Sequence, residues 1–304
     1  MIGGMTSTAT TPDLRPGPGP DADALPARGR PNGVRLDAIA RTFDSPQGRH
    51  DVLREVDVEL GSGEIVAVVG PSGCGKSTLL RLIAGLDRPS SGVIRIGGTA
   101  LTGTDPRTAV AFQEPRLLPW RTLEKNVALG LPRGTGKRAG RERVRELLTL
   151  VGLEHAADQR PREVSGGMAQ RASLARALAR SPEVLLLDEP FGALDALTRL
   201  RMQDLLLEIH AAEPTTVLVV THDVEEALYL ADRVLLLRSL REAPTSGSIA
   251  RVVEVPGARP RDRADRTLAE LRAQLLEGLG VHAHRSTPAP HSAVTTASTT
   301  ENFS

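Results

Sequence analysis

The chain lacks several features that would place it in a class at once. Cys74 is the only cysteine among 304 residues, so an intrachain disulfide is excluded and a reducing compartment is indicated. Aromatic residues make up 2% of the chain, and the formal net charge is +1. A surface that stacks nucleic-acid bases is therefore not expected, and neither nucleic acid nor an anionic membrane is predicted as a partner.

Long apolar runs are missing as well. No stretch approaches the length that a membrane-spanning helix needs. The first 31 residues do not combine a basic start with an apolar core, so a secretory signal is not expected. If the protein works at a membrane, another chain must therefore provide the anchor.

What is present is one foldable region between two low-complexity ends. Residues 1–32 are rich in Pro, Gly, Ala and Thr, and residues 284–304 are rich in Ser, Thr and Pro. Both ends are predicted to be disordered tails. Residues 33–255 carry alternating strand and helix patterns and predict one domain. Leucines at helical spacing within residues 256–283 predict an amphipathic C-terminal helix.

The strand patterns predict an α/β fold with a mainly parallel core sheet. In Val52–Leu60, apolar residues alternate with acidic ones, which is typical of an antiparallel sheet. From residue 114 to about residue 181 strand patterns are absent, so an all-helical insertion is expected. The predicted strands are Val34–Ala40, Val52–Leu60, Glu64–Val69, Val93–Ile96, Thr108–Phe112, Val184–Glu189, Thr216–Val220, Val234–Leu237 and Val252–Val255.

The most specific pattern is a glycine-rich segment between an apolar strand and an apolar-striped helix. It consists of Gly70, Pro71, Ser72, Gly73, Cys74, Gly75, Lys76, Ser77 and Thr78. This is the G-x-x-x-x-G-K-[ST] phosphate loop, in which successive backbone N–H groups converge on an anion. Lys76 is expected to contact the β- and γ-phosphates, and the Ser77 hydroxyl to ligate Mg²⁺. The segment predicts that the chain binds a nucleoside triphosphate.

Cys74 lies inside this loop, next to Lys76. A positive environment predicts a lowered thiol pKa and a reactive thiolate, whereas burial predicts an inert side chain. The sequence leaves both alternatives open.

The apolar strand Val184–Glu189 ends in two carboxylates. Adjacent strand residues point to opposite faces, so the two side chains can have different roles. Asp188 is predicted to hold the Mg²⁺ shell beside Ser77, and Glu189 to orient and deprotonate the attacking water. Without the phosphate loop, two solvated acids at a strand end would be the favoured interpretation.

A further helix start follows the helical insertion. Ser165 is suited to cap the helix, and Gly166 and Gly167 leave its first N–H groups open to an anion. On spacing alone, an ordinary helix cap fits this segment equally well.

Taken together, these segments resemble the ATP-binding subunits of ABC transporters over roughly residues 33–240. The matching motifs, in the order of the family, are the phosphate loop, Gln113, Val164–Arg171, Val184–Glu189, Gly192–Asp195 and His222. The resemblance implies a P-loop ATPase fold with an antiparallel β subdomain, and ATP with Mg²⁺ as cofactors. It also implies a head-to-tail homodimer in which two ATP molecules each lie between one chain's phosphate loop and the other chain's Ser165, Gly166 and Gly167.

The resemblance also implies roles for single residues. His222 contacts the γ-phosphate, Asp195 links the two sites across the dimer, and Gln113 contacts the metal and water and senses the membrane subunit. Phe43, expected in a polar turn, stacks on adenine in place of the commoner tyrosine. The signature segment carries Met168 where the family most often has glutamine, which removes a polar contact near the ribose.

Within the family, Phe112–Trp120 and Pro190–Arg199 are similar to importers of sulfonates, taurine and nitrate. The aliphatic-sulfonate branch is favoured, and nitrate, taurine or another small oxyanion is the alternative. The resemblance implies a location on the cytoplasmic face of a bacterial membrane, with two permease subunits and, indirectly, an extracytoplasmic solute-binding protein. The exposed apolar loop ending at Trp120 is expected to lie under the membrane subunit.

Two alternatives of other classes are less favoured. A soluble ABC ATPase of DNA repair or translation would carry a long coiled-coil insertion or a second cassette, and this chain has neither pattern. A non-enzymatic regulator would have lost catalytic residues, whereas Lys76, Asp188, Glu189 and His222 are all present.

Overall fold

The structure is a computed structural model that describes residues 32–46 and 48–280. The two predicted tails lie outside the described residues, apart from Asn32. The backbone carbonyl of Asn32 accepts a hydrogen bond from the Thr216 hydroxyl at 2.9 Å. Asn32 therefore belongs to the folded domain and not to the tail in which the sequence analysis put it.

The described chain contains ten strands and seven α-helices. The strands are β1 (Val34–Ser45), β2 (Gly48–Leu60), β3 (Ile65–Val69), β4 (Ser91–Ile96), β5 (Thr99–Ala100), β6 (Thr108–Ala111), β7 (Val184–Asp188), β8 (Thr216–Val220), β9 (Arg233–Leu237) and β10 (Ile249–Glu254). The helices are α1 (Lys76–Ile83), α2 (Leu123–Val127), α3 (Lys137–Leu150), α4 (Gly166–Ala179), α5 (Ala196–Ala212), α6 (Val224–Leu230) and α7 (Arg266–Gly278).

A four-stranded antiparallel sheet has the order β2-β1-β4-β5. It confirms the interpretation of the alternating segment Val52–Leu60, which is the second half of β2. The polar turn predicted around Phe43 is wrong, because Phe43 lies inside β1 and pairs with His50 of β2. The hairpin of β1 and β2 extends beyond the residues whose apolar pattern predicted strands. Its outer half is solvated on both faces, so apolar and polar residues do not alternate there.

A six-stranded sheet has the order β10-β9-β3-β8-β7-β6 and is parallel except for β10. This confirms the mainly parallel core sheet. All five residues of β3 and all five of β8 are buried, because helices and the second sheet cover both faces. The last residues of β3, β8, β7 and β6 therefore lie side by side at one edge, in that order.

The segment between β6 and β7 contains helices α2, α3 and α4 and no strand, as expected of the helical insertion. Buried aliphatic residues join it to the core, among them Leu147 of α3 and Leu174 of α4. Arg143 of α3 donates to the carboxylate of Glu213, beyond the end of α5, at 3.1 and 3.3 Å. No helix in the described part of the chain is long and apolar enough to cross a membrane.

The C-terminal helix is shorter than the predicted range of residues 256–283. It begins only at Arg266, because Pro256, Gly257 and Pro260 interrupt any helix before it. The guanidinium of Arg261 fixes this preceding segment by donating to the carbonyls of Val255, Leu228 and Tyr229 at 2.9, 3.3 and 3.2 Å. Helix α7 then packs its leucines on α6 and the core sheet.

Leu275 of α7 is fully buried, so Leu275→Ala should lower the free energy of unfolding by about 2–5 kcal/mol. The removed methyl groups leave a cavity that the helix and sheet close only in part. The matched control is Leu150→Ala, since Leu150 is 40% exposed at the end of α3. Urea denaturation monitored by circular dichroism measures both changes, and equal effects would mean that α7 contributes nothing to the core.

Candidate nucleotide-binding site

The phosphate loop connects β3 to α1 at the centre of the strand-end edge. Gly75 has a φ of +101°, and a Cβ there would lie 2.7 Å from a methyl group of Leu53 and 3.0 Å from the Val52 carbonyl. Gly70 is equally constrained, because a Cβ would lie 2.7 Å from the Leu237 carbonyl and from Cys74 Sγ. Only glycine lets the loop curl this tightly between β2 and β9.

The loop ends at the start of α1, so the first backbone N–H groups of this helix face the space inside the loop. Lys76 is 9% exposed, and its Nζ donates to the carbonyls of Gly70 and Pro71 at 2.8 and 3.1 Å. The ammonium group is thereby held across the loop. One cation and several N–H groups converge here, which makes an anion site of the kind predicted.

Cys74 contributes to the packing of this loop and not to its chemistry. The side chain is 2% exposed and belongs to the core between the two sheets. Burial raises the pKa of the thiol, and the opposing effect of the Lys76 charge is smaller. The alternative of an inert side chain therefore describes Cys74, and the lowered thiol pKa is wrong.

Asp188 and Ser77 meet although 111 positions separate them. The Ser77 hydroxyl donates to Asp188 Oδ1 at 3.1 Å. Burial raises the pKa of Asp188, while the hydrogen bond from Ser77 favours the charged carboxylate. A half-buried carboxylate beside a hydroxyl offers the hard oxygen atoms that Mg²⁺ prefers.

Glu189, Gln113 and His222 form a second cluster at the same edge. Gln113 Nε2 donates to Glu189 Oε2 at 3.1 Å, and His222 Nδ1 lies 3.3 Å from the same oxygen. The three residues follow β7, β6 and β8, which are neighbours in the sheet. The side chain of Glu189 is 23% exposed and that of His222 is 67% exposed, so both can reach a molecule bound at the edge.

The backbone of Glu189 is strained, with a φ of +45°. A non-glycine residue in the left-handed region costs on the order of 1 kcal/mol or more, and such residues concentrate at functional sites. The Glu189 N–H donates to the Val220 carbonyl at 2.8 Å, which holds the strained residue against β8. Asp188 and Glu189 thus contact different partners, Ser77 in one case and Gln113 with His222 in the other.

The signature residues and Asp195 form a separate group. Ser165 caps α4, its hydroxyl accepting from the Met168 N–H at 3.2 Å, as predicted. A Cβ on Gly167 would lie 3.1 Å from Leu194, and Asp195 caps α5 by accepting from the Thr198 N–H at 3.0 Å. Within residues 32–46 and 48–280, no hydrogen bond joins this group to the phosphate loop.

Phe43 is 39% exposed, and the guanidinium of Arg41 lies 4.2 Å from the centre of its ring. Arg41 pairs in register with Leu53, the residue that touches Gly75. Phe43 is two residues further along β1, so its ring lies about 7 Å along the strand from that contact. The position suits a planar ring stacked beside the loop. Arg41 was missed, because no local pattern marks an arginine above an aromatic ring.

Three residues that fix the loop after β6 were also missed. Gln170 of α4 donates to the Phe112 carbonyl at 3.2 Å, and Arg176 of α4 donates to the carbonyls of Pro115 and Arg116 at 2.7 and 2.8 Å. Asn126 is fully buried and hydrogen-bonds both backbone groups of Leu118. Each of these side chains acts on distant backbone atoms, so the local sequence gives no signal.

Among the described residues no group of three or more His, Cys, Asp or Glu is arranged to hold a metal ion. The Ser77–Asp188 pair fits a site in which one or two protein oxygens share Mg²⁺ with the phosphates of a bound nucleotide.

Comparison with known proteins identifies the family. A family model described as ABC transporter matches residues 53–192. The aliphatic sulfonates import ATP-binding protein 2 of Burkholderia lata is 54% identical over 231 residues, which are 76% of this chain and 81% of that protein. The aliphatic sulfonates import ATP-binding protein 1 of Streptomyces avermitilis is 52% identical over 248 residues, 82% of this chain and 86% of that protein.

A solved structure shares the fold. The dimeric ATP-binding cassette MJ0796, in a post-hydrolysis state bound to ADP and Pi, has a TM-score of 0.66 and 32% identity. The match covers 74% of this chain and all of that one. The phosphate loop, the strained Glu189 at the end of β7, the order of the motifs and these similarities all agree. The chain therefore belongs to the family of ABC transporter ATP-binding subunits, which are ATPases and include the aliphatic sulfonates import ATP-binding proteins.

Proposed function

We propose that this ATPase energises the import of aliphatic sulfonates through a membrane transporter. The observation that carries the catalytic part is the cluster in which Gln113 and His222 approach one carboxylate oxygen of Glu189. The observation that supports the solute is the similarity to relatives named as aliphatic sulfonates import proteins. Nitrate, taurine or another small oxyanion remains the alternative solute.

The phosphate loop, residues 70–78, binds the triphosphate of ATP. Backbone N–H groups of the loop and of the first turn of α1 surround the phosphates, and Lys76 moves its ammonium group from the loop carbonyls to the β- and γ-phosphate oxygens. Phe43 stacks on adenine, and the Arg41 guanidinium above the ring fixes the orientation of that side chain.

Ser77 and Asp188 would hold Mg²⁺, and Gln113 would offer a further oxygen atom to it. When bound, the ion neutralises charge on the phosphate oxygens during transfer. Asp188 is suited to this role, because a nearby cation restores the charged form that burial disfavours.

Glu189 orients the attacking water and accepts its proton, and His222 contacts the γ-phosphate. Both side chains reach the strand-end edge from neighbouring strands. Gln113 donates to Glu189, so its amide positions the carboxylate until substrate is bound. The strained backbone of Glu189 fixes the direction of the carboxylate before the reaction, which lowers the cost of orienting it.

A second copy of the chain completes each site. Ser165, Gly166 and Gly167 begin α4 with free N–H groups but have no hydrogen bond to the phosphate loop of their own chain within the described residues. In a head-to-tail homodimer they face the other chain's nucleotide, and Asp195 lies at the contact between the two sites. The dimeric state of the related cassette MJ0796 supports this arrangement.

The loop that follows Gln113 contacts the permease. Trp120 is 67% exposed at its tip, where a free apolar ring is unfavourable in water. Asn126 and Arg176 hold the loop backbone, so its shape is fixed although its tip is exposed. A displacement of Trp120 is therefore transmitted to Gln113 and the site. In this proposal the protein lies at the cytoplasmic face of the membrane and works with two permease subunits and, indirectly, an extracytoplasmic solute-binding protein.

A soluble ABC ATPase that is not linked to transport is the candidate of another class. It would have no use for a rigid loop with an exposed tryptophan, and the prediction on Trp120 distinguishes the two.

Glu189→Gln keeps the shape of the side chain and the hydrogen bonds to its amide oxygen but removes the base. Steady-state phosphate release should fall about 10²-fold or more, while the Kd for ATP changes by only a few-fold and ATP traps the dimer. The control is Glu277→Gln, an exposed position on α7 that should retain full activity. Wild-type turnover in Glu189→Gln would assign the base to another residue.

Trp120→Ala should weaken assembly with the permease or uncouple transport, because it removes the apolar contact of the loop tip. The ATPase rate of the isolated subunit should stay within about twofold, since the loop backbone remains anchored. Val252→Ala is the matched control, as Val252 is 46% exposed on β10. Co-purification with the permease and uptake in vesicles measure the effects. Unchanged assembly and uptake would support the soluble alternative.

The solute is tested in a strain that lacks this chain. Loss of growth on an alkanesulfonate as the only sulfur source, with normal growth on sulfate and on nitrate as the nitrogen source, is the expected result. A growth defect on nitrate alone would replace the sulfonate proposal while leaving the ATPase unaffected.

A further inference from the structure

A buried glutamate, Glu226, lies in the first turn of α6, shortly after His222. Glu226 of α6 is 4% exposed, and its Oε1 has no hydrogen-bond partner. Gln203 of α5, itself 2% exposed, points its amide Nε2 to Glu226 Oε2 at 3.4 Å. A buried carboxyl group without full compensation is costly, so its retention calls for a role.

The same carboxyl group interacts with Thr221, the residue before His222, and Thr221 in turn bonds to the residue after it. The hydroxyl of Thr221, a residue that is 3% exposed, interacts with the Glu226 carboxyl group and favours its charged form. The oxygen of that hydroxyl accepts from the Asp223 N–H at 3.0 Å. Asp223 in turn caps α6 by accepting from the N–H groups of Glu225 and Glu226 at 2.9 and 3.2 Å. The Glu226 carboxyl group thus reaches the turn that carries His222 through the Thr221 hydroxyl, and Thr221 bonds to Asp223 on the other side of His222.

The C-terminal segment controls the orientation of the Gln203 amide. Arg263 Nη1 donates to Gln203 Oε1 at 2.8 Å, which leaves Nε2 to face Glu226. Arg263 is itself fixed, because its guanidinium lies 3.4 Å from the centre of the Tyr229 ring and donates to Asp204 Oδ1 at 3.1 Å. A continuous chain of contacts therefore joins the segment before α7 to the turn that carries His222.

We propose that Glu226 is a positioning residue for His222, and that Arg263 sets its hydrogen bonding through Gln203. The residues Thr221, Gln203, Glu226 and Arg263 are called the Glu226 network below. The inference rests on the proposed role of His222 in ATP hydrolysis. A charged carboxylate accepts strongly from Thr221 and Gln203 and fixes the turn, whereas a protonated one accepts weakly and lets the turn move.

The groups around Glu226 make its charge depend on pH in the neutral range. Burial is the largest cause that raises its pKa to about 7, and the Asp223 carboxylate adds to it. Thr221, Gln203 and the Arg199 guanidinium of α5 oppose the shift. Among the other elements that pack against α6, β3 contributes only apolar residues. The charged Arg272 of α7 pairs with Glu225, at 3.0 Å, and not with Glu226. The network is therefore fixed above about pH 7 and loosened below it.

Glu226→Gln tests the proposal, because it replaces the acid by a neutral group of the same shape. The measured quantity is the ratio of the variant's kcat for ATP hydrolysis to that of the wild type between pH 5.5 and 9. We expect a ratio near one below about pH 6 and a loss of about fivefold above about pH 8, with KM for ATP unchanged at every pH. A ratio that does not vary with pH would overturn the proposal.

Stability gives a second readout that does not depend on catalysis. Folding raises the pKa of Glu226 from 4.5 to about 7, so the wild type is most stable below pH 4.5 with respect to this group and loses that contribution as pH rises through 7. The urea midpoint of Glu226→Gln, relative to that of the wild type, should therefore rise between about pH 4.5 and 7 and stay level at higher pH. A constant difference would mean that the charged carboxyl group is not buried, and would also overturn the proposal.

Arg263→Met tests the C-terminal part of the network, because methionine keeps contact with the Tyr229 ring but cannot donate to Gln203. Its kcat above pH 8 should fall in the same direction as that of Glu226→Gln. Arg266→Met is the control, since Arg266 is 93% exposed and pairs only with Glu270 of the same helix. If the kcat of Arg263→Met above pH 8 equals that of the wild type, Arg263 does not belong to the Glu226 network.

The proposed function is distinguished by His222→Ala. If the wild type hydrolyses ATP, His222→Ala does not, and Glu226→Gln equals the wild type at all pH values, only the positioning role fails. If His222→Ala hydrolyses ATP normally, the assignment of His222 fails first, and the positioning role fails with it.

Discussion

The site depends on the parallel register of four neighbouring strands. Hydrogen bonding between β3, β8, β7 and β6 forces their carboxyl ends to one edge of the sheet, about 5 Å apart from strand to strand. The phosphate loop, His222, the Asp188–Glu189 pair and Gln113 follow these strands and are far apart in the sequence. Because Glu189 follows the strand between the other two, it is the residue that meets both Gln113 and His222.

Buried polar side chains then fix the loops that the sheet brings together. Asn126 and Arg176 hold the loop after β6, and the Glu226 network holds the turn after β8. Each of these groups bonds to backbone or to another buried polar group in surroundings where an unpaired partner is costly. The apolar core supplies the general stability of the domain, and these polar groups define which loop conformations are allowed.

The sequence analysis predicted the features that depend on local pattern. The apolar strands, the helical insertion and the meeting of Asp188 with Ser77 could be predicted, since the carboxyl ends of parallel strands always meet. Features set by tertiary packing could not. Phe43 lies in a strand because β2 pairs with it, Cys74 is inert because two sheets bury it, and the C-terminal helix starts late because prolines precede it. The contacts of Glu226 and Asn126 leave no trace in local spacing.

The central claim is that the residues at this edge hydrolyse ATP with the phosphate loop as the binding element. The most direct measurement is the release of inorganic phosphate from ATP and Mg²⁺ by the purified chain, compared with Lys76→Ala under the same conditions. Lys76 lies across the loop, so Lys76→Ala removes the cation that faces the phosphates. The account predicts sustained phosphate release by the wild type and background release by Lys76→Ala. Equal rates in the two proteins, or no release by the wild type, would contradict it.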